Sequence, residues 1–155
     1  MALHIVLVEP EIPPNTGNVA RLCAATNSTL NLIEPLGFQL DDTQLKRAGM
    51  DYWQHVKWRG WSSWNAFAGT LSAEARLWLV ESGGPGLYTE AEFRDGDYLV
   101  FGRETAGLPK MLLEQYRSRW LRIPMLNPEA RSLNLSNCVA IVLFEALRQI
   151  GTKVE

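Results

Sequence analysis

Residues 3–23 read LHIVLVEPEIPPNTGNVARLC. Leu3–Val8 is apolar except for His4, the pattern of a strand buried on both faces of a parallel sheet. Pro10, Pro13 and Pro14 stop that strand and are expected to hold the following stretch extended. Asn15 or Thr16 is then the expected cap of a helix reaching about Asn27. Val19, Leu22, Cys23 and Thr26 share one face of that helix, and Asn18, Arg21 and Ala25 share another. Strand, loop and helix in this order form one half of a parallel α/β unit.

The same alternation continues along the chain. Thr29–Glu34 reads as a second strand, ended by Pro35 and Gly37. Asp41 or Asp42 can cap a short helix through Ala48, with Gly49 as its stop. A weak strand is expected near His55–Trp58, a helix near Ser62–Ala68 and a strand at Arg76–Val80. A turn-rich Gly83-Gly84-Pro85-Gly86 loop comes next, then a strand at Asp97–Phe101. The pattern closes with a short helix at Leu108–Gln115 with Pro109 at its start, a last strand at Trp120–Ile123, and a helix from about Asn134 to Ile150. The fold class is therefore α/β, a mainly parallel sheet flanked by helices, and residues 1–155 are expected to form a single domain.

In the last helix, Leu135, Cys138, Val139, Val142, Leu143, Ala146, Leu147 and Ile150 make an unbroken stripe at helical spacing. Ala140, Ile141 and Phe144 make much of the other side apolar too. Such a helix needs cover on two sides, and a second copy of the chain, giving a homodimer, is the expected source, with an intrachain element as the alternative. The 155 residues, 46% of them hydrophobic and 21% charged, suit a globular protein with a sizeable core. No apolar run approaches the ~20 residues of a membrane helix. Ile5–Val8 is too short for a signal peptide and lacks a preceding basic stretch, so a cytoplasmic location without membrane association is expected. Cys23 and Cys138 both fall in helical patterns and read as small core residues rather than a disulfide.

Three segments are rich in Gly, Asn and Ser where strands end, the place where open parallel sheets bind ligands. They are residues 9–21, residues 101–108, and residues 123–125 followed by residues 131–137. Gly102 and Gly107 permit close backbone approach and positive φ. Ile123 and Leu133 can wall a pocket or be ordinary core. Arg21 faces away from the apolar stripe of its helix, which suits either a substrate contact or plain solvent exposure. Asn15 has both a cap reading and a site reading. Glu104 can bind Arg21, shape its loop, or stand in solvent. One of Ser132, Asn134, Ser136 and Asn137 is needed as a helix cap, and Ser136 and Asn137, lying past it, are candidates for substrate contact. No G-x-G-x-x-G follows a strand, and His4 and His55 are isolated, so neither a metal cluster nor a nucleophile triad is visible. The tryptophans at 53, 58, 61 and 64 can stack bases or pack around the middle helix.

Taken together, the three segments resemble the signature motifs of the SpoU branch of the SPOUT methyltransferases. EPEIPPNTGN at 9–18 and DDTQLKRAGMDY at 41–52 resemble more closely the TrmL-type subgroup, which methylates the ribose 2′-oxygen of the wobble nucleotide in certain leucine tRNAs. The resemblance implies a deep trefoil knot in the C-terminal half and a homodimer. It implies S-adenosyl-L-methionine as methyl donor, S-adenosyl-L-homocysteine as product, no metal, and tRNA as substrate. Carried onto this chain, the cofactor positions are Val80, Glu81, Gly102, Ile123, Ser132 and Leu133, beside Gly107. Arg21 is the implied catalytic arginine, reaching the target ribose across the dimer; Asn15, Glu104, Ser136 and Asn137 complete the candidate set. A guanidinium with a pKa above ~12 is a poor proton acceptor, so orienting the ribose or phosphate and stabilising a developing alkoxide is the role its chemistry supports. The same chemistry on another tRNA or rRNA site, or a non-catalytic RNA-binding role, fits the same motifs. The chain departs from the subgroup at Arg103 and Phe144.

Overall fold

The computed structural model describes residues 2–39, 53–130 and 132–151. Its strands are β1 (His4–Val8), β2 (Thr29–Ile33), β3 (Trp58–Trp61), β4 (Leu77–Val80), β5 (Gly86–Leu87), β6 (Tyr98–Phe101) and β7 (Trp120–Arg122), and its helices are α1 (Pro13–Thr26), α2 (Trp64–Ala68), α3 (Lys110–Gln115) and α4 (Leu135–Ile150). The strands form one sheet in the order β3-β2-β1-β6-β4-β7-β5, with every pairing parallel. The helix expected from Asp41 or Asp42 through Ala48 lies outside the described residues.

The apolar run at the start of the chain becomes the inner strand β1, paired with β2 on one side and β6 on the other. Both of its faces are covered. Ile5 and Leu7 join a cluster with Val19 and Cys23 of α1 and Val139, Val142 and Leu143 of α4. Val6 and Val8 join a second cluster with Phe67 of α2 and Leu112 and Leu113 of α3. This two-sided burial is why β1 alternates so little in polarity. Burial pushes the Cys23 thiol up to about 12, so it stays protonated and packs as a small apolar group.

Two local expectations are corrected. The stretch through Pro13 and Pro14 is not extended, because both prolines open α1, and the N-cap is Ile12, not Asn15 or Thr16. Proline suits this place because its φ is already helical and the N–H it lacks would have no intrahelical partner. Asn15 and Thr16 are instead buried inside the helix. The weak third strand also sits later than expected, since Trp53–His55 forms a 3₁₀ turn and the strand is Trp58–Trp61. It is an edge strand and largely exposed, so it lacks the alternation that would have fixed its bounds. The tryptophans nearby pack on one another and on Phe67: Trp53 on Trp58, and Trp61 and Trp64 on Phe67. β5, two residues long, was not expected.

α4 starts as its sequence indicates. Asn134 is the cap, and its Oδ1 accepts from the Ser136 and Asn137 amides. Leu135, Val139, Val142, Leu143, Ala146 and Leu147 are buried, whereas Phe144 is 53% exposed. One apolar side of the helix is thus covered within the chain and the other is not. Leu143→Ala, at a fully buried position, is expected to destabilise the fold by about 2–4 kcal/mol, read from urea denaturation followed by circular dichroism.

Candidate functional site

A cavity of about 480 Å³ opens at the carboxyl ends of β4, β6 and β7, a volume within the range that small-molecule sites occupy. Val80 ends β4, Phe101 ends β6 and Ile123 follows β7, and with Leu133 and Leu135 they supply the apolar wall. Loop 102–107 and Ser132 supply backbone and polar groups, and Ile12 and Asn15 close the α1 side.

The 102–107 loop is tight. Arg103 and Gly107 pair with each other, the Gly107 amide donating to the Arg103 carbonyl at 2.8 Å. Gly107 has φ +67°, which an L side chain adopts only with strain. A Cβ there would also meet the Glu81 carboxyl carbon at 2.6 Å. At Gly102 the constraint is space: a Cβ would stand 2.7 Å from the Gly107 carbonyl oxygen. The close approach at Gly102 is therefore to the chain's own loop, which lets the loop fold flat at the cavity rim. Glu81 Oε1 accepts from the Leu108 amide at 2.8 Å, so the residue after β4 anchors the loop after β6.

Glu104 joins this loop to the start of α1. Its carboxylate accepts from the amides of Glu11 at 2.9 Å and Ile12 at 2.8 Å and from Asn15 Nδ2 at 3.2 Å. It thereby serves the entry to α1, which has no side-chain cap of its own. Asn15 continues the connection: its Oδ1 accepts from Asn134 Nδ2 at 3.0 Å. Asn134 Oδ1 accepts in turn from the Ser136 hydroxyl at 2.6 Å and the Ser136 amide at 2.9 Å. One chain of hydrogen bonds thus runs Glu104–Asn15–Asn134–Ser136 and ties together all three segments singled out in the sequence. In the opposite direction, Glu11 Oε1 accepts from the Thr105 amide at 3.0 Å and the Thr105 hydroxyl at 2.7 Å. Those bonds hold the Glu11 carboxyl below the usual carboxylate range, with burial opposing and Arg103 adding slightly.

The structure brings Val80, Glu81, Gly102, Gly107, Ile123, Ser132 and Leu133 to this cavity, with Asn15 and Glu104 beside them. It does not bring Arg21, Ser136 or Asn137 to the lining. Arg21 lies on the exposed side of α1 with Asn18 and Ala25, six residues and roughly 9 Å of helix rise beyond Asn15. Asn137 is exposed at the start of α4. Neither a bond to Arg21 nor a purely solvated state describes what Glu104 does, because its partners are backbone amides and Asn15. Sequence reasoning missed Ile12, Thr105 and Cys138 in the lining. Cys138 sits in the helical stripe and was legible only as core. Its thiol is pushed up by burial and then by Glu81, so it faces the site as a neutral group. Among the described residues, no group of three or more His, Cys, Asp or Glu is placed to hold a metal ion, and no helix is long and apolar enough to cross a membrane.

A parallel sheet with one polar-rimmed cavity at its carboxyl ends defines a ligand-binding α/β protein. Residues 2–144 match the model of the SpoU rRNA Methylase family. The chain belongs to that family. It is 51% identical over 150 residues to a tRNA (cytidine(34)-2′-O)-methyltransferase of Burkholderia cenocepacia, covering 96% of each chain. It is 52% identical over 151 residues to a protein of the same name from Saccharophagus degradans, again covering 96% of each. A solved structure concerned with the 2-OH methylation of C/U34 on tRNA superposes with a TM-score of 0.92 at 49% identity, covering 96% of this chain and 95% of that one.

Removing the Glu104 carboxylate strands several donors at once. Glu104→Ala is expected to lower stability by about 1–3 kcal/mol, measured by urea denaturation. Gly102→Ala, which forces loop 102–107 off β6, is expected to cost about 1–3 kcal/mol in the same measurement and to disturb the cavity as well.

Proposed function

We propose that this chain is an S-adenosylmethionine-dependent methyltransferase acting on the ribose 2′-hydroxyl of the wobble nucleotide, position 34, of tRNA, leucine tRNAs above all. The observation that carries the reading is the convergence of three strand ends and their three bonded loops on one cavity. It is supported by the names borne by relatives about half identical over nearly the whole chain. The domain spans the chain and works as a cytosolic homodimer. Free thiols at Cys23 and Cys138 suit a reducing compartment.

The residues present fit the cofactor. Val80, Phe101, Ile123, Leu133 and Leu135 offer apolar walls for a flat purine. Gly102 and Gly107 bring backbone groups to the rim, and Glu81, Glu104 and Arg103 place both signs of charge near a ligand that carries both. When bound, S-adenosylmethionine supplies a methyl group to the ribose 2′-oxygen as the hydroxyl loses its proton, leaving S-adenosylhomocysteine. Every other contribution comes from the chain. The apolar wall excludes water, and the loops fix the donor's direction relative to the incoming ribose, where much of the rate arises.

Arg21 is the residue assigned to the ribose or its phosphate. It is not among the residues lining its own chain's cavity, and in this reading it serves the cavity of a second copy. The uncovered side of α4, with Ile141 and the exposed Phe144, supports that pairing. The C-terminal deep trefoil knot belongs to the same reading. After β7 the chain returns past β4 and β6, the strands lying between β7 and β1, so that α4 can pack on α1. That course runs over the cavity rim, which is where the knotted loops of the family resemblance hold their cofactor.

The test is methylation of an in vitro transcribed leucine tRNA, mapped by mass spectrometry. A 2′-O-methyl group is expected at position 34 and nowhere else; a modified ribose elsewhere, or none, refutes the assignment. Arg21→Ala is expected to reduce kcat/KM by at least about 100-fold, in the range for loss of a charge-stabilising group, while S-adenosylhomocysteine binding by calorimetry is retained. Light scattering should give a dimer, and Phe144→Asp should shift it to monomer and abolish methylation with it.

A further inference from the structure

Loop 102–107 has two anchors at its ends, the Arg103–Gly107 pairing and the bond from the Leu108 amide to Glu81. Its middle has a different one. Among the described residues, the hydrogen bonds of Thr105 go to Glu11 alone, from its amide and from its hydroxyl, and both end on the same oxygen, Oε1. Ala106 makes no hydrogen bond to the described residues, and Thr105, Ala106 and Gly107 all line the cavity. Small residues at a loop tip give the backbone little stiffness of its own, so the tip is held where Glu11 puts it.

The seam is reciprocal. Glu104 accepts from the amides of Glu11 and Ile12, while Glu11 accepts from Thr105. Adjacent residues of each loop therefore bind the other loop, and each carboxylate closes on the neighbour of the other. Glu104 also serves Asn15 and the helix entry. Among the described residues, the Glu11 carboxylate accepts only from Thr105 at the loop tip, and Glu11 itself is not part of the cavity lining.

We infer that Glu11 is a positioning residue of the methyl-transfer site: it acts through Thr105 to set the 105–107 wall of the cavity and so governs cofactor affinity. This rests on the placement of the cofactor in that cavity. A wall fixed before binding removes an ordering cost that a loose loop would impose on each cofactor molecule bound. The effect falls on cofactor binding and not on the ribose, because Arg21 rides on α1, whose entry Glu104 holds independently.

The experiment uses the full chain and S-adenosylhomocysteine as probe, with calorimetry for affinity and amide hydrogen exchange for the loop. Glu11→Ala is expected to raise the Kd by about five- to tenfold, the effect of losing one good hydrogen-bonding acceptor. In turnover the loss should fall on the cofactor KM and not on kcat. Exchange over residues 103–108 should accelerate while the strands keep their protection. Glu11→Gln retains a carbonyl oxygen for both donors and should recover most of the loss. Thr105→Val, which keeps the amide but loses the hydroxyl, should give a smaller defect, and the double variant Glu11→Ala/Thr105→Val should be no worse than Glu11→Ala alone. Unchanged affinity and exchange in Glu11→Ala, or additive defects in the double variant, overturn the inference. If Glu11→Ala fails to fold, Thr105→Val and Glu11→Gln still carry the comparison, and wild-type exchange in Thr105→Val overturns it. Failure of the wild type to bind the probe sinks the methyltransferase reading and the cofactor role of Glu11 together; the exchange measurement then decides alone whether the latch exists.

Discussion

The organisation of the site depends on where the two backbone amides just before the first turn of α1 find their acceptor. The helix opens Pro13-Pro14 without a side-chain cap, and prolines have no N–H to pair. The Asn15 and Thr16 amides turn back to the Ile12 carbonyl, so the donors still to be paired at the entry are the Glu11 and Ile12 amides. Here the acceptor is a carboxylate 93 residues further along the chain, Glu104, which binds the amides of both Glu11 and Ile12. Because that carboxylate also holds Asn15, and Asn15 holds Asn134, the start of α1, the loop after β6 and the cap of α4 form one bonded unit. A change at any of the three therefore propagates to the cavity they enclose.

That unit can be so polar only because the sheet beneath it is so apolar. β1 and β6 bury nearly every residue between two clusters, and their parallel register brings the carboxyl ends of neighbouring strands to one level. Loops leaving those ends emerge side by side, within hydrogen-bonding distance of one another. Glu9, at the end of β1, takes φ 54°, an uncommon choice for a residue other than glycine, and its amide donates to the Ile33 carbonyl at 2.9 Å. The chain turns sharply there, and the turn sends it toward loop 102–107 instead of along the strand direction.

The sheet and the positions of its ends were legible because periodicity and apolar runs carry them: β1, β2, β4, β6 and α4 fall within a residue or so of where pattern alone puts them. The candidate cavity was legible for a related reason, since Gly, Asn and Ser accumulate where strands stop. The helix entry was not legible. Pro13 and Pro14 are compatible with an extended loop and with a first helical turn, and no local signal in the sequence separates the two. β3 was misplaced because an exposed edge strand carries no two-sided pattern, and β5 because two residues carry none. Glu11 and Thr105 were missed as a pair because their partnership is purely tertiary. The separation of Arg21 from the cavity lining is likewise a tertiary matter: helical spacing told which face it occupies, but not where that face lies relative to the site.

The arrangement also bears on how a net charge of −2 is compatible with the proposed RNA substrate. Three carboxylates stand around the cavity, and each is turned onto donors of the protein itself: Glu81 onto Leu108 and Ser82, Glu104 onto Glu11, Ile12 and Asn15, Glu11 onto Thr105. A carboxylate that accepts from several N–H groups has much of its field compensated locally, so it holds loops together without presenting its full charge to an approaching phosphate. Arg103 stands at the same rim, so positive charge is present there beside the compensated carboxylates. Net charge is a property of the whole surface, whereas attraction of a nucleic acid is decided within about a Debye length of the contact. Acidic residues engaged in internal hydrogen bonding are therefore compatible with the proposed RNA substrate, and in this fold they are what holds the loops of the cavity together.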